Sequence, residues 1–413
     1  MRTTDKEREA MDRMQRICGG RIVTPDGVLE GGTVVIEGGK IAEVSGRCDI
    51  LGPGDVYAGG CWILPGMIDP HSDAIEHEMQ PRPNSRFPLE WSFLELERKL
   101  AAQGITTIYH SFSMVDGDTP NASRRNASVA EYVHKVRELS RTNRLIRHKV
   151  HLRFEITNTG GVPLVEQFIR NGTIDLLSFM DHTPGQGQYR DQELHKRYVM
   201  QRQNLNEQEV LRRFEESRRR PKVPPDTLQR LADLAREHGI PLASHDDDSC
   251  EKLEIVSGWR AAISEFPVDM ETAACAKRRG MAVVMGAPNV MLGRSHSNNL
   301  SAREAIRAGV VDILCSDYYP PAMLQSVFLL HREGLPLHLA VRMVTKNTAS
   351  VLGLSGEFGS IEPGKAADLI MVGMHGDRPV VERVWVGGRT VCLMEYKETA
   401  AVPSGSMALQ NLP

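Results

Sequence analysis

Between Trp62 and Tyr318 the chain repeats one rhythm eight times: a short apolar run, then a stretch of helical periodicity that closes near a glycine. Strands that alternate with helices must lie parallel, because each helix carries the chain back to the start of the next strand. The runs are WILPGMIDP, ITTIYHSF, HLRFEIT, DLLSFMDH, IPLASHDD, ISEFP, AVVMGAPN and DILCSDY. Helix boundaries are marked between them. Ser92-x-x-Glu95 and Ser301-x-x-Glu304 read as capping boxes, Asp226 and Asp269 as N-caps, and Gly104, Gly239, Gly280 and Gly309 as the residues just past helix C-termini.

Eight such units in roughly 290 residues fit a closed (β/α)8 barrel, of α/β class, better than an open doubly wound sheet. No GxGxxG or Walker loop follows any of the strands. The flanking segments differ in kind. Residues 20–63 and 360–396 show β-branched alternation broken by Asp-Gly and Gly-Gly turns, so the two chain ends are expected to pair into one small, discontinuous β domain around a barrel spanning 64–359. The segment from Tyr189 to Val223 is too long for an ordinary connection and reads as an inserted helical excursion or lid.

Charge and cysteine usage narrow the function classes. Fifty Lys+Arg against 53 Asp+Glu leave a formal net charge of −3, which offers no electrostatic footprint for nucleic acid or a membrane surface. The seven cysteines never form a CxxC pair, so neither a disulfide framework nor a zinc knuckle is expected, and a reducing cytoplasm fits best. The charged N-terminus lacks the apolar core of a signal peptide, and no run of eighteen apolar residues occurs.

In a barrel, side chains at the C-terminal strand ends converge on one site. The first strand ends in Asp69-Pro70-His71-Ser72-Asp73, where the period of two puts His71 and Asp73 on one face. The third alternates Leu152, Phe154 and Ile156 against Arg153 and Glu155; the fourth ends in Asp181-His182, the fifth in His245-Asp246-Asp247-Asp248 and the eighth in Ser316-Asp317. A single histidine at a strand end is as often structural as functional. Five strands ending this way are another matter, since burying His71, Asp73, Glu155, His182, His245 and Asp317 around one axis is costly without a cation. These six are the candidate ligands of a divalent ion, zinc first with manganese or iron(II) as alternatives, one or two in number. Such ions lower the pKa of bound water, and Asp317 is the candidate base as well as a candidate ligand. Glu265 and His110 are further candidates.

LPGMIDPHSD (Leu64 to Asp73) and NTASVLGLSGEFGSIEPGKAADLIMV (Asn347 to Val372) resemble the first-strand metal motif and the barrel exit of the amidohydrolase superfamily. Within it, RFEITNTGG, MDHTPGQGQYRD, ASHDD, VVMGAPNV and SDYYPPAMLQ are similar to a branch that acts in phosphonate metabolism, in which His-x-Asp replaces the usual His-x-His. That resemblance implies hydrolysis of α-D-ribose 1-methylphosphonate 5-triphosphate to the 5-phosphate and pyrophosphate in carbon-phosphorus lyase pathways. A small phosphorylated substrate would need many donors, and Arg82, Gln186, Arg190, Arg294 and His296 are the candidate substrate-binding residues, with Arg86 and Gln188 beside them. Two other readings remain: an amidohydrolase or deaminase acting on a cyclic amide or amine, and a barrel that has become a non-catalytic scaffold. Homo-oligomerisation is left open.

Overall fold

The computed structural model describes residues 14–395 apart from 49–50, 53, 83–84, 116–120, 143, 188–191, 204 and 296–298. Two eight-stranded sheets carry the fold. The first begins with β1 (Gln15–Thr24), β2 (Gly27–Glu37), β3 (Lys40–Ser45), β4 (Val56–Tyr57) and β5 (Trp62–Pro65), and is completed from the far end of the sequence by β14 (Leu369–His375), β15 (Arg378–Val386) and β16 (Arg389–Leu393). Its order is β16-β15-β14-β5-β1-β2-β3, with β4 paired to β1, so the two ends of the chain do share one sheet. Most pairs are antiparallel, whereas β1 runs parallel to β4 and β5. Ile17, Ile22, Val34, Ile63, Leu369 and Trp385 form its own core.

The run WILPGMIDP, expected as one strand, is two. Gly66 breaks it: β5 joins the small sheet and β6 (Met67–Ser72) opens the barrel. A Cβ at Gly66 would lie 2.3 Å from Thr106 Oγ1, so only glycine allows the chain to cross between the sheets this closely.

The barrel continues with β7 (Ile105–Met114), β8 (Arg147–Glu155), β9 (Leu176–Met180), β10 (Leu242–His245), β11 (Ile263–Glu265), β12 (Ala282–Gly286) and β13 (Ile313–Cys315), each parallel to the one before it. The ring is nearly closed where β13 meets β6 through a Ser72–Asp317 bridge. Buried Asp69 helps to pin that seam, its Oδ1 accepting from Ser316 N at 3.0 Å and from His71 N at 3.4 Å.

Strand alternation sorts the side chains into layers. Leu152 and Phe154 face the surrounding helices, as the period of two predicts. Ile68, Tyr109, Leu176, Ala243, Ile263, Val284 and Ile313 form a separate apolar cluster that closes the barrel interior. Asp269 caps as expected, accepting from Thr272 N at 2.9 Å, and the four glycines take φ between +68° and +83°. Ser92 instead lies inside the helix Leu89–Ala102 and donates to Glu78 O, because Pro88 already starts that helix one turn earlier. Asp226 likewise sits within the helix Pro225–Glu237, and Ser301 occupies an N-cap position without a side-chain hydrogen bond. The inserted segment contains two helices, Gln192–Gln203 and Glu207–Arg218, the second opened by a reciprocal capping box between Asn206 and Glu209.

Candidate metal centre

Three strands end in the same backbone device. Asp246, Phe266 and Asp317, each the first or second residue past β10, β11 or β13, have φ of 52°, 56° and 55°. Each donates its N–H to a neighbouring strand: Asp246 to Glu265 O at 2.8 Å, Phe266 to Val284 O at 2.9 Å and Asp317 to His71 O at 3.0 Å. The sheet thus continues for one residue while the chain turns away, at a cost of order 1–3 kcal/mol per non-glycine residue in this region. Strain of this kind at three strand ends of one barrel mouth marks where geometry has been held against local preference.

The side chains delivered there form a connected set. His71 is fully buried, and its Nδ1 lies 3.1 Å from Glu265 Oε1. The carboxylate of Glu265 also accepts from Ser178 Oγ at 2.8 Å and faces the His151 ring. Burial raises the Glu265 pKa, yet the facing His151 and His71 rings win and hold it well below the usual range. An ionised Glu265 fixes the His71 proton on Nδ1 and leaves Nε2 as the open nitrogen. That Nε2 has no hydrogen-bond partner among the described residues. His71, Asp73 and Asp317 present ligand atoms within 4.8 Å of one another. A buried, unpartnered imidazole nitrogen beside two carboxylates fits a divalent ion.

Arg153 stands beside this trio. Its Nη1 donates to Asp73 Oδ1 at 2.8 Å and Oδ2 at 3.1 Å, and its Nη2 lies 3.1 Å from His245 Nε2. Burial raises the pKa of Asp73, but the Arg153 charge outweighs it and brings the group down to about 2. His245 Nδ1 faces Asp246 Oδ2 at 3.1 Å. Glu155 serves His182, accepting from its backbone N at 3.2 Å and pairing with its Nδ1 at 2.8 Å. His182 Nε2 lies 3.4 Å from Asp246 Oδ2. Burial opposes protonation of His182, while the two flanking carboxylates drive its pKa up to about 9. The Phe266 ring packs edge-on against His71 and His245 at 5.0 and 5.3 Å, walling one side.

All six candidate ligands therefore lie in one network, with Glu155 linked through His182 rather than grouped with His71. Glu265, given less weight in the sequence, is central. His110 is not part of it: β7 turns Ser111 inward, toward His151 Nδ1 at 3.1 Å, and His110 outward to His148 and the Phe93 ring. Asp246 and His151 join the network without having been candidates from the sequence. His151 precedes Arg153 by two and so shares its inward face, a signal the alternation contained. Of the candidate substrate-binding residues, Arg82, Gln186 and Arg294 are exposed on loops that follow barrel strands, and Arg86 covers the Tyr132 ring at 5.5 Å. Arg190, His296 and Gln188 lie outside the described residues.

A strand-end cluster on a (β/α)8 barrel with a small sheet built from both termini defines a class, and comparison with known proteins agrees. The amidohydrolase family model matches residues 216–391, and the chain belongs to that family of hydrolases. It is 32% identical over 339 residues to alpha-D-ribose 1-methylphosphonate 5-triphosphate diphosphatase of Escherichia coli (strain K12), covering 80% of this chain and 88% of the relative. A shorter match, 30% identical over 179 residues, is to imidazolonepropionase of Maricaulis maris (strain MCS10), with 40% of this chain and 43% of the relative covered. Among solved structures, molinate hydrolase superposes with a TM-score of 0.63 at 16% identity over 95% of this chain and 99% of that one. D-hydantoinase gives 0.56 at 15% identity over 92% and 95%. These structural likenesses show the fold. No helix of the described residues is long and apolar enough to cross a membrane.

Proposed function

We propose that the protein is a metal-dependent diphosphatase that hydrolyses the 5-triphosphate of a ribose 1-phosphonate, releasing pyrophosphate. The observation that carries the metal centre is His71, held by Glu265 so that its unpartnered Nε2 lies beside Asp73 and Asp317. The similarity to the diphosphatase supports the substrate class. His71, Asp73 and Asp317 would hold the cation. When bound, a divalent cation acidifies water and offsets charge on phosphoryl oxygens.

The chain's own residues supply the rest. Asp317 is the proposed proton acceptor, at the strand end that seals the barrel. Arg153 and protonated His182 place positive charge where a transferring phosphoryl group gains negative charge, which stabilises the transition state more than the ground state. Arg82, Gln186, Arg190, Arg294 and His296 are proposed to grip the phosphates from the loops.

The test is a single incubation of the metal-loaded enzyme with a ribose 5-triphosphate bearing a 1-phosphonate, read by phosphorus NMR. Pyrophosphate and the 5-monophosphate are expected, and Asp317→Asn should abolish both while circular dichroism is unchanged. Ammonia release from cyclic amides or amines, without pyrophosphate from the triphosphate, would move the protein to the amide or amine side of its family.

A further inference from the structure

We propose that Lys252 is a positioning residue of this centre: its ammonium gathers the backbone carbonyls of His245 and Asp246 and so holds the left-handed turn that sets the Asp246 carboxylate between His182 and His245. Its consequence for turnover rests on the function proposed above.

Lys252 stands where local rules disfavour it. Ser249 caps the helix Cys250–Gly258 and accepts from Lys252 N at 3.2 Å, which makes Lys252 the third helical residue. That position suits Glu or Gln, which reach back to the cap, and a cation there faces the positive end of the helix dipole. The side chain reaches away from the helix instead. Its Nζ donates to His245 O at 2.8 Å and Asp246 O at 3.2 Å and lies 3.2 Å from Asp247 Oδ1. The three donors of the ammonium are thereby matched to acceptors on three consecutive residues.

Along a regular strand successive carbonyls point to opposite edges, so two of them meet one ammonium only where the chain turns. Asp246, at φ 52°, is that turn. It is held from two sides: Asp246 N donates to Glu265 O of β11 at 2.8 Å, and Lys252 takes the carbonyls. The turn sets Asp246 Oδ2 3.1 Å from His245 Nδ1 and 3.4 Å from His182 Nε2. That oxygen has no hydrogen-bond partner among the described residues, so the backbone that carries it keeps it there. Asp247 offers a competing reason for Lys252, since it is fully buried and needs a countercharge. Yet its carboxylate already accepts from Ser244 Oγ and Ser264 Oγ, and the ammonium lies nearer to His245 O than to it.

Imidazole NMR signals of the full-length protein, isotopically labelled at histidine and incubated with zinc, read the positioning directly; turnover of the ribose 5-triphosphate reads its consequence. Lys252→Met should shift the signals of His182 and His245 and leave that of His148 in place. It should also lower kcat about 100-fold with KM little changed, as expected when catalytic groups are displaced by about 1 Å. Lys252→Cys alkylated with bromoethylamine, which rebuilds an ammonium at lysine length, should restore both, with wild type alkylated alongside as the control. The same shifts should appear when Lys252→Met is made in an Asp247→Asn background; silence there would reduce Lys252 to the counterion of Asp247 and overturn the proposal. So would a folded Lys252→Met with unmoved signals, or an aminoethylated variant that stays defective. If the variants do not fold, reductive methylation of wild type decides: Lys252 should label much more slowly than the exposed Lys40, and equal rates would overturn the proposal. A wild type that releases no pyrophosphate would remove the diphosphatase reading, a separate failure, while the histidine signals still decide the role of Lys252.

Discussion

At the scale of single residues, the centre depends on which nitrogen of each histidine carries the proton. Glu265 determines this for His71, so Glu265→Gln is expected to weaken divalent-ion affinity about 10–100-fold, the usual effect of losing a carboxylate behind a ligating histidine. Competition against a chromophoric chelator measures it, and unchanged affinity would assign Glu265 a purely structural role. His182 makes a prediction about pH. Its pKa rises from 6.5 to about 9 on folding, so the folded state holds the proton more tightly than the unfolded chain does. That contribution is fully present below about pH 6.5 and is lost as pH rises through about 9. In chelator, the melting temperature of wild type should therefore fall relative to His182→Gln between these values. Parallel melting curves across that window would show that Glu155 and Asp246 do not stabilise an imidazolium.

At the scale of elements, the strands do the positioning and the helices are held by local signals. Asp269 is a cap that both sequence and structure support, and Asp269→Ala should cost about 1 kcal/mol in urea unfolding with an unchanged slope. The strand ends behave differently. No turn signal in SHDD, SEFP or CSDY announces a left-handed residue: Asp tolerates that region better than most side chains without requiring it, and Phe does not favour it, so the neighbouring strands impose it. Phe266 is the clearest case: an aromatic residue at φ 56° is favoured by no local rule, and its ring is set against His71 and His245 only by the turn that follows β11.

At the scale of the whole molecule, Asp368 links the two sheets. It is buried, pairs with Arg147 of β8 and accepts from Gly387 N at 2.8 Å, while its backbone carbonyl takes Gly66 N at 2.8 Å. Burial pushes its pKa up even against Arg147. Asp368→Ala would strand Arg147 and Gly387 N while leaving the backbone bond from Gly66 N in place, and a loss of about 1–3 kcal/mol is expected in thermal or urea unfolding. A neutral outcome would mean that apolar packing alone joins the small sheet to the barrel.

Much of this architecture was legible in the chain because it follows from periodicity. Eight apolar runs separated by helical stretches leave few alternatives to a parallel barrel, and the period of two correctly placed Arg153 and Glu155 on the face opposite Leu152 and Phe154. The strand-end histidines and carboxylates were legible for the same reason. What the sequence could not hold was the pairing among them. Glu265 behind His71, Glu155 behind His182, and Arg153 between Asp73 and His245 join residues 194, 27, 80 and 92 positions apart. Hydrogen-bond partners at such separations are chosen by the order and stagger of strands in the closed ring. The sequence determined which chemical groups reach the mouth of the barrel; the tertiary structure decided which of them are used up on one another and which nitrogen is left open, because a lone pair is directed in space and only the folded ring sets its direction.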